Sequence, residues 1–235
     1  MSINLITGNE DAKRAVVNQL RMNKSSGTYL FYGKKGAYLK EFALAFAKGI
    51  NCNESVHDFC DKCRVCENIN KEIYSDLHII SASEGTVKID QIRELIKNAS
   101  ETSYEMGKKV FIIEDVNKLR KEASNALLKI IEEPPKDTYF ILLANSLNIL
   151  PTIKSRSLAI EIQKLTHEEL GVEESLYNFF LGDVKDIREF KSGAYTLSKE
   201  SYKNTAIYMK EYLETGEFLP KIRAYGALED FILVK

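Results

Sequence analysis

Short apolar runs alternate with helical patterns through the first two-thirds of the chain, and this alternation limits the fold more than any other feature. Thr28 to Tyr32, Leu77 to Ile80, Val110 to Ile113, Tyr139 to Leu143 and Leu158 to Ile162 each read as a strand. Between them, apolar residues recur at helical spacing. Asn9 and Glu10 open one such stretch, carried by Ala12, Ala15, Val16 and Leu20. Phe42, Ala45, Phe46 and Gly49 line a second, and Ile89, Ile92, Ile96 and Ala99 a third. A fourth, Ala123 to Ile131, stops at Pro134-Pro135, because proline lacks the N–H that would continue a helix. The pattern predicts an α/β fold with a parallel sheet covered by helices on both faces. In such sheets ligands bind at the carboxyl ends of the strands. The segments after Tyr32 and after Ile113 are expected there.

From about Thr166 the strand patterns disappear. Leu176, Tyr177, Phe180 and Leu181 suggest a short helix, Ser201 to Leu213 a longer one, and Leu228 to Val234 another. Two domains are expected: residues 1–165 around the sheet, and a small helical region over 166–235. The chain has 235 residues, enough for one sizeable core and a small second domain. Its 33 basic and 34 acidic residues leave a net charge of −1, so any contact with nucleic acid is local or shared with partners. Lys97, Lys108, Lys109, Lys118, Arg120 and Lys121 are candidates for it, although scattered charge of this kind is usually solvated surface. The start, Met1-Ser2-Ile3-Asn4, lacks the basic residues and apolar run of a signal peptide. No apolar run is long enough to span a bilayer. A cytoplasmic location and no membrane partner are expected.

Gly33-Lys34-Lys35-Gly36-Ala37-Tyr38-Leu39-Lys40 follows the first strand. A working phosphate loop reads G-x-x-x-x-G-K-[ST]: its amides cradle phosphates, its lysine reaches the outer ones, and its hydroxyl holds Mg²⁺. Gly33 fits the first glycine. Tyr38 stands at the second, Leu39 at the lysine and Lys40 at the hydroxyl. Tyr38 adds bulk where phosphate must approach the backbone, Leu39 removes the positive charge, and Lys40 removes the metal ligand. Lys34 or Lys35 would attract an anion, but neither stands at the lysine position. A plain strand-to-helix loop is the alternative reading. Glu114-Asp115, closing the Val110 to Ile113 run, has the shape of the acidic pair that binds Mg²⁺ and activates water in nucleotide-hydrolysing enzymes. Acidic pairs at exposed strand ends are also common without such a role.

Cys52, Cys60, Cys63 and Cys66 are spaced C-x₇-C-x₂-C-x₂-C and are all the cysteines in the chain. Two-residue gaps let neighbouring thiolates close on one ion, and four thiolates complete a tetrahedral zinc shell with no open position. The spacing predicts a structural zinc that pins the insert 52–66 to the sheet domain and contributes to its folding. Iron–sulfur clusters use similar spacings, and four unrelated cysteines are the remaining alternative. His57 would be able to replace a thiolate, but four need no help.

Taken together, these blocks resemble the delta-prime subunits of the bacterial polymerase III clamp loader, members of the AAA+ family. The resemblance runs from about residue 5 to 163. It rests on the order of the loop at Tyr29 to Lys40, the cysteine insert, Lys109 to Val116 with Ala123 to Lys129 and Glu132-Glu133-Pro134-Pro135, and Phe140 to Asn145 with Leu150 to Ser157. It implies an AAA+ P-loop domain that does not hydrolyse ATP and binds neither ATP nor Mg²⁺, serving as a stator while motor subunits load the sliding clamp on primed DNA. Implied partners are the ATPase motor subunits and a delta-type subunit, in a hetero-oligomer. The family's Ser-Arg-Cys motif aligns with Ser155-Arg156-Ser157, which makes Arg156 the expected arginine finger for a neighbour's ATP site. Asn145 matches the family's sensor position. Members usually carry a helical lid and a collar of about a hundred residues. Roughly 70 residues follow Lys164 here, so a reduced collar or a shortened chain is expected. A nucleotide-binding AAA+ ATPase and a zinc-stapled interaction module outside replication are the competing readings.

Overall fold

A computed structural model describes residues 3–82, 85–105 and 107–192. The chain divides into two compact units. One comprises Met1–Lys34 and Tyr38–Gln163, the other Lys35–Ala37 and Lys164–Lys235. The expected helices over 201–213 and 228–234 lie outside the described residues.

In the first unit five strands form one parallel sheet: β1 (Gly27–Tyr32), β2 (Leu77–Ile80), β3 (Lys109–Ile113), β4 (Thr138–Ala144) and β5 (Leu158–Glu161). Their spatial order is β2-β3-β4-β1-β5. Register is set by pairs such as Leu30 with Leu142, Leu30 with Ala159, and Phe111 with Phe140. The central strands β3 and β4 are buried along their whole length. This is why they read in the sequence as unbroken apolar runs rather than alternating ones. The edge strand β5 buries only Ile160.

Successive side chains point to opposite faces. Leu30, Phe111, Ile113, Phe140, Leu142 and Ala144 join one buried cluster with Ile92 and Leu95 of α4 (Ile89–Ser100) and with Leu127 and Ile131 of α5 (Lys121–Glu132). On the other face the rings of Tyr29, Phe31 and Tyr139 meet Phe46 of α2 (Leu39–Asn51) at centroid distances of 4.6, 6.1 and 6.4 Å. α1 (Glu10–Arg21) packs on α2 at Gly49, where an added Cβ would lie 2.5 Å from Leu20 Cδ1. A larger residue there would force the Leu20 side chain aside, so glycine suits this approach. Asn9 precedes α1 in a left-handed conformation, and its amide exchanges hydrogen bonds with the backbone of Gln163 instead of capping its own helix.

Two short helices escape a reading by periodicity. α3 (Arg64–Asn70) closes the cysteine insert, and α6 (Pro151–Ser155) begins on a proline at its first turn. Proline suits that place because the N–H it lacks would have no partner inside the helix. The second unit contains α7 (His167–Leu170), α8 (Glu174–Phe179) and α9 (Val184–Lys191). Thr166 and Glu169 cap α7 reciprocally, and Gly171 ends it at φ +60°. The Asp183 carboxylate caps α9 by accepting from the amides of Lys185 and Asp186. Among the described residues no helix is long and apolar enough to cross a membrane.

Candidate functional site

The carboxyl ends of β1, β3 and β4 bring together most of the expected loop residues. Gly33 leaves β1 with its amide bonded to the Ala144 carbonyl at 3.1 Å. Lys34 is exposed. Lys35 and Gly36 belong to the second unit. There Gly36 takes φ +89°, and an added Cβ would lie 3.1 Å from the Gly182 carbonyl oxygen. Tyr38 and Leu39, at the glycine and lysine positions of a working loop, are only 2% and 8% exposed. Both side chains are therefore buried, and neither lies open to a phosphate.

Lys40 turns to the acids. Its Nζ lies 2.8 Å from Glu72 Oε1 and 3.3 Å from Glu114 Oε1. Burial by itself would lower the Lys40 pKa. The hydrogen bond to Glu72 and the charge of Glu114 outweigh it, and the pKa stands above the ordinary lysine value. Glu114 also accepts from Ser81 Oγ at 2.5 Å. Asp115 faces elsewhere. It sits in the left-handed region at φ +53°, pairs with Lys118 at 2.9 Å, and accepts from the Asn145 side-chain amide at 3.0 Å. The Asn145 backbone amide donates to Asn117 Oδ1 at 2.8 Å. Glu114 and Asp115 thus belong to two different hydrogen-bonding networks.

The cysteine insert is organised around its sulfurs. Cys52 ends α2 and Cys63 caps α3. The four Sγ atoms all lie within 4.8 Å of one another, with Cys60 and Cys66 buried. Zn–S bonds of about 2.3 Å in a tetrahedron place sulfurs about 3.8 Å apart, so the donor set and its dimensions fit a metal ion. Backbone amides point at three of the sulfurs: Cys60 N at Cys52 Sγ, Cys63 N at Cys60 Sγ and Cys66 N at Cys63 Sγ, over 3.3–3.5 Å. Amide donors of this kind favour thiolate over thiol. The Lys62 amide above all, with that of Cys63, outweighs burial and holds the Cys60 thiol down to about 7. Burial pushes the Cys66 thiol up.

The insert is fastened by residues the sequence did not single out. Lys48 of α2 pairs with Asp61 at 2.6 Å and lies 4.1 Å from the centre of the Phe59 ring. Asn70 donates to the same Asp61 oxygen at 2.8 Å. His57 stays out of the sulfur cluster, its Nδ1 being 3.0 Å from the Leu20 carbonyl oxygen.

Arg156 caps the carboxyl end of α6. Its guanidinium meets Glu132, at the end of α5, through Nη2 at 3.1 Å and Nε at 2.9 Å, and Nη1 donates to the Thr152 carbonyl at 3.2 Å. The Arg156 hydrogen bond holds the Glu132 carboxyl below its usual value. The Glu132 partnership spans 24 residues and left no local signal in the sequence. Several lysines considered for nucleic acid are engaged within the chain. Lys109 is buried, and its Nζ bonds the carbonyls of Asn98, Ala99 and Glu101 at the end of α4. Lys108 contacts Asn23 and Tyr139. Burying Lys109 corrects its reading as solvated surface.

The family described as DNA polymerase III, delta subunit, matches residues 8–166. The chain belongs to that family. A relative named DNA polymerase III subunit delta', from Bacillus subtilis, is 35% identical over 153 residues, covering 65% of this chain and 46% of its own length. DNA polymerase III subunit gamma of Buchnera aphidicola (subsp. Schizaphis graminum) is 32% identical over 209 residues, 88% of this chain and 54% of the relative. The chain thus spans about half the length of these curated relatives. A gamma subunit-related protein of Thermotoga maritima shares the fold with TM-score 0.56 at 18% identity, covering 91% of this chain and 70% of that one. The Thermotoga maritima RuvB branch-migration motor aligns with TM-score 0.50 at 14% identity, covering 87% and 58%. The fold is AAA+-like, as this family's sequence pattern implies.

Proposed function

We propose that this delta-family chain is a non-hydrolysing stator of the replicative clamp loader, present while motor subunits load the sliding clamp on primed DNA in the cytoplasm. One observation carries the reading. The positions that handle phosphate and Mg²⁺ in a working loop hold two buried side chains, Tyr38 and Leu39, and an ion-paired lysine, Lys40. A loop built this way offers neither the lysine nor the hydroxyl that nucleotide chemistry needs. Zinc is the ion that suits four closed thiolates, with a structural role. The partners of this reading are the motor subunits and a delta-type subunit.

Arg156 is the arginine finger of this reading. It stands at the end of a short helix with part of its surface open, and Glu132 presets its orientation. A finger supplied in trans stabilises charge on the transferring phosphoryl group. Two measurements test the proposal. Titration calorimetry of the purified chain with ATP and Mg²⁺ should give no heat of binding; micromolar binding would make the chain a candidate motor instead. Arg156→Ala should leave the chain folded while slowing hydrolysis at the one neighbouring site it serves by roughly 10³-fold or more. The ATPase of the reconstituted complex then falls by that site's share. An unchanged ATPase refutes the finger.

A further inference from the structure

The Lys40 ammonium lies where a nucleotide site of this architecture keeps its metal. In a working loop, the hydroxyl at this position and the acid at the end of β3 approach one Mg²⁺ from two sides. Here Lys40, in the first turn of α2, reaches Glu114 at the end of β3 at 3.3 Å. It also reaches Glu72 at 2.8 Å, two residues beyond the end of α3. Glu72 holds a left-handed conformation, φ +58°, with its amide bonded to the Ile69 carbonyl. That region is uncommon for a residue with a side chain. Ser81 completes the arrangement by donating to the other Glu114 oxygen. The positive charge between loop helix and acidic strand end is therefore covalently part of the chain.

We propose that the Lys40 ammonium is the resident cation of this site: it takes the place of Mg²⁺ against Glu114 and ties the loop helix to the sheet and to the end of the cysteine insert without nucleotide. This rests on reading residues 33–40 as the remains of a phosphate loop. Two consequences follow from this placement. A divalent ion is disfavoured, because a cation already holds the acids and repels another. The link between α2, β3 and the chain after α3 needs neither metal nor nucleotide, although its part-exposed partners are screened by water.

The test uses the purified, zinc-loaded full chain, with Mn²⁺ as the probe and electron paramagnetic resonance as the readout. Wild type should bind no Mn²⁺ at this site. Lys40→Thr, which restores the hydroxyl and removes the ammonium, should bind Mn²⁺ at least about ten-fold more tightly than wild type. Lys40→Thr should also melt at a lower temperature than wild type and regain part of the loss when Mn²⁺ is added. The double variant Lys40→Thr/Glu114→Gln should lose the new binding. A folded Lys40→Thr chain, judged by zinc content and circular dichroism, that binds Mn²⁺ no better than wild type overturns the proposal.

Wild type alone decides the matter if the variant does not fold. Millimolar Mn²⁺ should leave the amide resonances of Lys40, Ser81 and Glu114 sharp, and the Lys40 ammonium resonance should survive solvent exchange; broadening of these amides overturns the idea. Neither failure touches the stator reading, which falls only on ATP binding by wild type or on an unchanged ATPase in the complex.

Discussion

Lys48→Met removes the charge that fastens the cysteine insert to α2 while keeping the apolar stem. The Lys48 side chain is 9% exposed and that of Asp61 26%, with Nζ and Oδ1 2.6 Å apart. Breaking a fully buried pair from one side destabilises by about 3–5 kcal/mol, since it leaves a buried charge without a partner. Asp61 is a quarter exposed, so water restores part of its solvation and the expected loss falls to about 2–3 kcal/mol. This figure includes the contact with the Phe59 ring, about 0.5–1 kcal/mol. For a chain of this size such a loss lowers Tm by roughly 4–12 °C. Asp61→Asn should cost a comparable amount by stranding Lys48. The double variant should therefore be less unstable than the two single losses added together, with a coupling energy of about 1–2 kcal/mol. Thermal melts of the four proteins, zinc-loaded and at one pH, give this coupling directly. A coupling below about 0.5 kcal/mol would mean that the pair is surface decoration. The insert would then depend on its metal alone.

Removing the metal with a strong chelator should lower Tm and abolish the cooperative melting of the insert, because ligand binding energy in such sites is folding energy. Zinc added back in stoichiometric amount should restore it, followed by calorimetry and metal analysis; an unchanged melt would refute a structural metal. Acid should loosen the same region by a second route. Burial opposes ionisation of Asp61, but the hydrogen bonds from Lys48 and Asn70 overcome it and hold its pKa below the ordinary aspartate value. Its folded pKa is depressed, so its contribution is complete above the unfolded value near 3.9 and disappears as pH falls through the folded pKa. Asp61→Asn should lack this part of the acid dependence in melts across that range. A parallel shift of both curves would rule Asp61 out.

The central strands were legible because burial on both faces leaves nothing but apolar residues in β3 and β4. Pro134-Pro135 ended α5 within a residue or two of its observed end at Glu132. The four cysteines announced their cluster by spacing alone. What stayed hidden were partners brought together by topology. Glu72 meets Lys40, and Glu132 meets Arg156, across turns whose side chains obey no period. Lys109 shows the same limit from the opposite side. Its charge suggested surface, yet its ammonium is drawn under the end of α4 by the carbonyls of Asn98, Ala99 and Glu101, where a helix leaves its last carbonyls short of intrahelical partners.

The three substitutions at 38–40 gain meaning when they are considered together. A working phosphate loop leaves its amides and its lysine facing solvent and relies on nucleotide and metal to order them. Tyr38 and Leu39 replace that arrangement with side chains that order the loop from inside, by burial, at about 1.5–3 kcal/mol for a large apolar group. Lys40 then faces Glu114 across the place the metal would use. Combined, they give a loop whose conformation no longer depends on ligand. If the chain is the stator proposed above, that independence is what a rigid neighbour of an ATP-driven subunit requires, because its surface must stay fixed while the motor cycles. Restoring Lys40 to threonine would therefore weaken the cross-link before it restored any chemistry, since Tyr38 and Leu39 would still deny phosphate its cradle.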